Sequence, residues 1–300
     1  MRQLRHRSMM GTMSAVLAAG MLAAACGSSA SGSSSSSQTT SGSVASVAKL
    51  VPERYRNAAQ LTVATDASYA PNEFFNSAGK IAGMDVDMID AIAATMGLHA
   101  KVVNASFDSI LPGLASGKYE VGISSFTDNA TREKTVDFVT YFNAGTAFFV
   151  KSNGGPSISG LSGLCGLRVA VEKGTTQEQD ASAQSATCTA AGKPAVNVEV
   201  FPDQAGANLA LVAGRADVAM ADSPLADYQV HQSKGTLKLA GPVYGAAPYG
   251  IALPKGSGLG PAMLAAVQHL ISTGQYRTIL ARWGVESGAI TTPAINAAAS

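Results

Sequence analysis

An α/β fold made of two similar α/β domains is what this sequence predicts, and three observations carry the prediction. Short apolar strands alternate with amphipathic helices between residues 61 and 125, the pattern of a largely parallel sheet covered by helices. The same pattern restarts at Leu167. A closing segment from Gly250 to Trp283 then adds one more strand and two helices. A length of 300 residues suffices for two ordinary domains, each with its own core.

The elements follow in order. Leu61-Thr-Val-Ala-Thr65 reads as a buried strand. Residues 85–97 read as a helix, because Ile89, Ile92, Ala93 and Met96 share one face and Gly97 supplies the stop. Lys101–Val103 is a second strand. Residues 106–116 form a second helix, with Phe107, Ile110, Leu111 and Leu114 on one side, and Glu120–Ser124 is a third strand. In the second copy, Leu167-Arg-Val-Ala-Val171 echoes the first strand. Leu211-Val-Ala-Gly-Arg-Ala-Asp-Val-Ala-Met-Ala-Asp222 matches Leu114-Ala-Ser-Gly-Lys-Tyr-Glu-Val-Gly-Ile-Ser-Ser125 position by position. At the end, Gly250–Pro254 is a strand. A helix with Pro261 in its first turn follows, then one carrying Tyr276, Ile279, Leu280 and Trp283 on one face.

The N-terminal region is of another kind. Arg2, Arg5 and Arg7 precede an apolar run from Met9 to Ala24. That run is too short and too rich in Ala and Gly for a spanning helix, which needs about 20 apolar residues, and it reads as a signal peptide over residues 1–25. Leu22-Ala-Ala-Ala-Cys26-Gly27 resembles a lipobox, in which Cys26 is lipidated; ordinary cleavage would instead leave Cys26 a free thiol. Residues 27–46 hold 11 Ser among 20, and residues 26–57 are expected to form a disordered tether reaching roughly 30 Å. No charge occurs between Arg7 and Lys49. The overall net charge of +1 therefore conceals a basic leader. Without its three arginines, 18 basic side chains face 20 acidic ones, a balance of −2. Neither figure fits a nucleic-acid binder, which needs a basic stripe.

In open α/β sheets, ligands lie beyond the C-terminal ends of the strands. Here those ends carry Asp66 to Tyr69, Ser124 to Thr127, Gly174 to Gln177, and Asp222. They come from both copies, which places a site in a cleft between two domains.

Several segments then become specific together. They are Asp66-Ala-Ser-Tyr-Ala-Pro71, Gly83-Met-Asp-Val-Asp-Met88, Phe107-Asp-Ser-Ile-Leu-Pro112, Ser125-Phe-Thr-Asp-Asn-Ala-Thr-Arg132, Val136-Asp-Phe138, Gly174-Thr-Thr-Gln177 and Gly214-Arg-Ala-Asp-Val218. In their order and spacing, residues 60–285 resemble the extracytoplasmic solute-binding proteins of the polar amino-acid ABC importer family (bacterial solute-binding protein family 3). The resemblance implies a two-lobed periplasmic-binding-protein-like clamp of type II, with two α/β domains joined by two hinge strands. It implies lobe 1 over residues 58–147, lobe 2 over 148–250, a return to lobe 1 over 251–286 and a flexible tail over 287–300. It further implies capture of a polar or basic amino acid, delivery to an ABC importer permease, and a monomer held at the membrane by its lipid anchor, outside the cytoplasm. A ligand-sensing lipoprotein for a membrane kinase and an enzyme like cyclohexadienyl dehydratase are the alternatives on the same fold.

The residues support that assignment one at a time. Arg132 follows Ser125 and Thr127 in a segment expected to leave a strand and enter a helix. It offers a guanidinium fork, hydroxyls and helix N–H groups to a carboxylate. Asp222 ends a buried strand, where an acid needs a cation such as an ammonium group, or else caps the next helix. The resemblance adds Ser124 to this group, puts Thr176, beside Gln177, on the carboxylate from the second lobe, and gives Tyr69 and Phe107 the ligand's side chain. Phe107 also fits a plain core position. Asp66 at the cleft mouth suits a cationic side chain, or caps a loop. Asp217 reads as structural, by analogy with Glu120. Cys165 and Cys188 either pair, as an oxidising compartment favours, or remain two buried thiols. No cofactor, metal or catalytic residue is expected: the four histidines are scattered, and neither an H-E-x-x-H helix nor a Walker loop occurs.

Overall fold

The structure, a computed structural model, describes residues 44–298. The signal peptide, Cys26 and most of the predicted tether lie outside the described residues. The helices are α1 (Ala45–Ala48), α2 (Glu53–Ala58), α3 (Met84–Met96), α4 (Phe107–Ala115), α5 (Thr176–Ala190), α6 (Gln204–Val212), α7 (Ser223–Gln232), α8 (Gly260–Thr273) and α9 (Gln275–Trp283). The strands are β1 (Gln60–Thr65), β2 (Ser68–Tyr69), β3 (Glu73–Phe75), β4 (Ile81–Ala82), β5 (His99–Asn104), β6 (Val121–Gly122), β7 (Val136–Lys151), β8 (Arg168–Glu172), β9 (Asn197–Phe201), β10 (Val218–Asp222) and β11 (Leu237–Pro254).

Eight strands run in the order β5-β1-β6-β11-β7-β10-β8-β9, while β2, β3 and β4 form a small second sheet. The large sheet reads the same from both ends. In lobe 1, β1 lies parallel between β5 and β6. In lobe 2, β8 lies parallel between β9 and β10. The internal repeat extends to single hydrogen bonds. The Glu120 carboxylate accepts the Thr62 N–H at 2.7 Å, and Asp217 accepts the N–H of Arg168, the repeat partner of Thr62, at 2.9 Å. Asp217 also takes the Arg168 guanidinium at 2.6 Å. This acid pins the first strand of its lobe.

Two long antiparallel strands, β7 and β11, run through both lobes side by side. The sheet is thus mixed rather than largely parallel, because these two crossovers must enter and leave each lobe in opposite directions. Their register shifts between Ala240 and Tyr244 and again between Tyr244 and Ala247. There they approach so closely that a side chain on Gly145 would collide with Val243 and with the Tyr244 carbonyl. A third shift falls between Tyr249 and Gly250, where the second boundary is expected.

Lobe 1 packs around Leu61, Val63, Met88, Ile89 and Ile92, joined by Met263, Val267 and Leu270 of the returning α8. Lobe 2 carries one cluster on each face of its sheet, around Leu211 and Leu225 on one side and around Leu164, Val171 and Met220 on the other. Cys165 and Cys188 form a disulfide across 23 residues, tying the start of lobe 2 to α5.

Two segments expected to be loose are ordered. The expected tether over residues 26–57 ends early: α1 and α2 fold, with Val47, Val51 and Tyr55 buried in the lobe 1 core. Those apolar side chains are few, but docking on an existing core recovers enough apolar burial to order their short turns. The expected flexible tail over 287–300 instead straps β7. The N–H of Thr140 donates to the Ala294 carbonyl, and the Thr140 hydroxyl accepts the Ala294 N–H. Asn296 bonds Phe138 in both directions. Asp128 and Glu133 accept the N–H groups of Ala297 and Ala298. The strap enters five of these six bonds through its own main-chain groups, which need no apolar side chains, so composition does not reveal them.

Candidate functional site

A narrow cavity, partly open to solvent, lies between the lobes. All ten expected ligand positions line it: Asp66, Tyr69, Phe107, Ser124, Ser125, Thr127, Arg132, Thr176, Gln177 and Asp222. Glu73, Glu172 and Thr175 line it as well. Most sit where a strand ends and the backbone turns, so the chain delivers them from both lobes to one place.

Arg132 is almost fully buried at 9% exposure. One guanidinium nitrogen donates to the Thr127 carbonyl at 3.0 Å and another to the Gly174 carbonyl of lobe 2 at 3.1 Å. Its central carbon lies 5.4 and 5.6 Å from the ring centres of Phe107 and Phe126, whose rings stack 4.6 Å apart. Burial pushes the group down to about 10, although Asp222 nearby favours its charge. Among the described residues it forms no salt bridge. A buried guanidinium held only by carbonyls is prepared for an incoming anion. The segment around it differs from expectation. Residues 132–134 make a single 3-10 turn, not an α-helix, so helix N–H groups come from elsewhere: α5 begins at Thr176 beside the cavity, with Thr175 as its N-cap.

The hydroxyls also divide differently. Ser124 accepts the Asp66 N–H at 2.9 Å and donates to Glu73 at 3.0 Å. Ser125 sits at a φ of 52°, where its N–H donates to Asp85 at 2.8 Å and its hydroxyl accepts from Asn72 at 2.8 Å. Both serines are thus engaged within lobe 1 and act by holding the wall. Thr127 and Thr176 line the cavity too, the Thr176 hydroxyl donating to Gln177 at 3.3 Å.

Asp222 does not cap α7 with its side chain. Its oxygens accept Gln177 at 2.8 Å and Tyr249 at 2.7 Å, and its N–H donates to the Tyr69 hydroxyl at 2.9 Å. Burial nevertheless raises its pKa. Asp66 accepts the Phe107 N–H at 2.9 Å, and burial raises it too. Phe107 lines the cavity while packing with Ile110 and Leu114.

Two acids complete the wall. Glu73 is 1% exposed, and one of its carboxylate oxygens has no partner. Burial and the adjacent Asp85 drive it well above the usual carboxylate range. Glu172 is also 1% exposed, with Oε1 unpartnered. Burial, then the charges of Asp66, Asp203, Asp222 and Asp108, drive it upward as well. The sequence held a signal for Glu172: it follows Val171 as Asp66 follows Thr65, so it is the repeat image of Asp66.

The lobes are closed upon each other. Besides the Arg132–Gly174 bond, Lys173 pairs with Asp108 at 2.8 Å, and Ser68 accepts the Gln204 N–H at 3.2 Å. Gly174, at a φ of 81°, rests its bare Cα against Asp108. A Cβ there would lie 3.0 Å from the Asp108 Cβ.

Residues 61–286 match the bacterial extracellular solute-binding proteins, family 3. The chain belongs to that family. Among its relatives is the arginine-binding protein ArgT of Corynebacterium glutamicum, 37% identical over 84% of this chain and 83% of that one. Another is an L-arginine-binding protein of Pseudomonas aeruginosa, 32% identical over 72% and 85%. Among solved structures, an ancestral arginine-binding protein bound to arginine superimposes with a TM-score of 0.69, at 35% identity, over 75% of this chain and 98% of that one. The same kind of protein bound to glutamine gives 0.70 at 35% identity, over 76% and 99%. As a family 3 solute-binding protein, the chain has the two-lobed α/β fold that its sequence implied.

Proposed function

We propose that this protein captures a free amino acid with a cationic side chain, of which arginine is the type, in the interlobe cavity outside the cytoplasm and hands it to an ABC importer permease. One observation carries the choice of ligand. Asp66, Glu73, Glu172 and Asp222 surround the cavity with a single guanidinium, Arg132, among them. A neutral zwitterion brings one positive and one negative charge and leaves these acids with no further cation, so burial keeps Glu73 and Glu172 pushed toward their protonated forms. A ligand with a second positive charge offsets part of the excess of acids.

The α-carboxylate goes to Arg132 and the start of α5, with Thr127 and Thr176 near. The α-ammonium goes to Asp222, and the side chain runs between Tyr69 and Phe107. Contacts to both lobes favour the closed state over the open one, so binding and closure are one equilibrium. Lipidation at Cys26 places this clamp at the outer membrane face, beside its permease. The arginine-binding relatives support the reading, and the binding-protein names they carry speak for transport over catalysis. Calorimetric titration with arginine, lysine, histidine, citrulline, glutamine and glutamate tests it. The cationic amino acids are expected to bind tightest. A preference for glutamine or citrulline would overturn the cationic class, and binding of no amino acid would overturn the function.

A further inference from the structure

We infer that the C-terminal strap over residues 289–298 is a positioning element of the binding site: it fixes, from behind, the loop that carries Arg132 to the cavity. The inference rests on the reading of Arg132 as the carboxylate anchor and goes beyond the cavity wall. The strap also lies beyond the segment that matches the family, residues 61–286.

Three observations lead there. First, the loop is weakly made by itself. Between Thr127 and the start of β7 it contains a single 3-10 turn, Arg132–Lys134. Its internal bonds are short-range: Asn129 accepts the N–H groups of Arg132 and Glu133, and the Arg132 carbonyl accepts the Thr135 N–H. One turn closes few bonds for the backbone entropy it costs, so its position depends on ties from outside. Second, those ties are two. β11 takes the start of the loop, through the Thr127–Tyr249 bridge and the Asp128 N–H on the Pro248 carbonyl. The strap takes both flanks of the turn: Asp128 accepts the Ala297 N–H at 2.8 Å and Glu133 the Ala298 N–H at 3.0 Å. Asp128 is 2% exposed, so its charge-assisted bond is shielded from water. Among the described residues, Glu133 makes the one hydrogen bond from residues 129–134 to another part of the chain, the Arg132 guanidinium aside. Third, the strap is itself anchored on a long strand. Phe138 and Thr140 of β7 hold Asn296 and Ala294 in paired bonds. At its root, Gly288 lies bare against the Phe142 ring and the Asn143 carbonyl. Between these bonds and those to the loop, Asn296 takes a φ of 52°, which Asn tolerates.

The consequence is geometric. A bidentate pair with a carboxylate needs the guanidinium fork held to within roughly half an ångström. The strap carries the position of β7, a strand shared by both lobes, to the residues on either side of Arg132. With the strap released, Arg132 keeps its charge and the fork loses its aim.

The test is calorimetry on the full chain with arginine and with agmatine, which has the same guanidinium chain and amine without the carboxylate. The variants are Asp128→Ala, Glu133→Ala and Thr140→Val. Thr140→Val removes the hydroxyl that holds Ala294 and so loosens the strap without touching the loop. Glu133 is half-buried, so its variant keeps the test open should Asp128→Ala fail to fold. Arginine is expected to weaken roughly fivefold or more in the loop variants and about threefold in Thr140→Val, the loss of part of one charge-assisted bond. Agmatine is expected to stay within about twofold of its wild-type affinity, because it offers Arg132 no carboxylate. Glu133→Gln keeps the acceptor for Ala298 and is expected to recover most of the arginine affinity. A merely structural strap lowers the unfolding temperature and leaves the affinity of the folded protein alone. Folded Glu133→Ala and Thr140→Val proteins that bind arginine as the wild type does would therefore overturn the inference, while leaving amino-acid capture standing. Equal losses for arginine and agmatine would overturn it too. A wild type that binds no amino acid would overturn both.

Discussion

Replacing Arg132 by alanine isolates the anchor of the proposed ligand carboxylate. The guanidinium has five N–H donors, and two go to the Thr127 and Gly174 carbonyls. Three remain, enough for a bidentate pair with a carboxylate. A hydrogen bond to a charged group contributes about 1.5–3 kcal/mol, so losing the pair costs about 3–6 kcal/mol. That corresponds to roughly 10²- to 10⁴-fold in affinity. The loss of the Gly174 bond weakens lobe closure in addition. Folding should not suffer. Burial of the cation holds Arg132 down to about 10, so its removal relieves a desolvation cost, and the unliganded variant should unfold near the wild-type temperature. Arg132→Lys keeps the charge without the fork and should recover only part of the loss. Calorimetric titration with arginine is the assay, with thermal unfolding as the control. A well-folded Arg132→Ala protein that binds arginine within threefold of wild type would refute the carboxylate role.

Asp128 gives the C-terminal strap a pH dependence. Burial, reinforced by Glu133, raises it from 3.8 to about 6 against the Ala297 bond. Its folded form holds the proton more tightly than the unfolded chain, so its contribution to stability is full below about 3.8 and is lost as pH rises through about 6. The unfolding temperature of the wild type should fall across that window more steeply than that of Asp128→Asn, and parallel curves would refute the assignment. Reducing Cys165–Cys188, or replacing both by serine, releases a loop of 23 residues. It should destabilise the protein by about 3 kcal/mol, a drop of roughly 6–12 °C in midpoint; an unchanged midpoint in reductant would count against the bond.

What was legible in the sequence was legible because the chain repeats itself. The match of Leu114–Ser125 to Leu211–Asp222 foretold that Glu120 and Asp217 do the same work, and they do, one strand edge each. It also placed Asp222 and the Ser124–Thr127 segment on facing sides of one cavity. Glu172 lies one residue beyond the apolar segment Leu167–Val171 that marks the repeat. The commitments of Ser124 and Ser125 depend on Glu73, Asn72 and Asp85, which lie 40 to 53 residues away in the chain, and no local pattern announces such partners. The small sheet of β2, β3 and β4 consists of strands two or three residues long, too short for any periodicity to register. The ordered ends escaped for opposite reasons. Residues 44–57 hide three anchoring side chains, Val47, Val51 and Tyr55, in a stretch whose average is polar. The strap over 289–298 is held chiefly through main-chain groups, to which composition is blind.

The contact at Gly174 bears on time as well as on affinity. Closure brings its bare backbone against Asp108, where an added methyl group would require Asp108 to give way by a few tenths of an ångström, while its carbonyl holds the Arg132 guanidinium. How long the lobes stay shut therefore depends in part on a spacer without a side chain. Even a side chain as small as alanine at this position would act as a wedge and shorten the dwell time of every bound amino acid by a similar factor. The ranking among ligands would be preserved while the rate of hand-over changed. The time a cargo is held is thereby adjustable in this fold at a position that presents no side chain to the cavity.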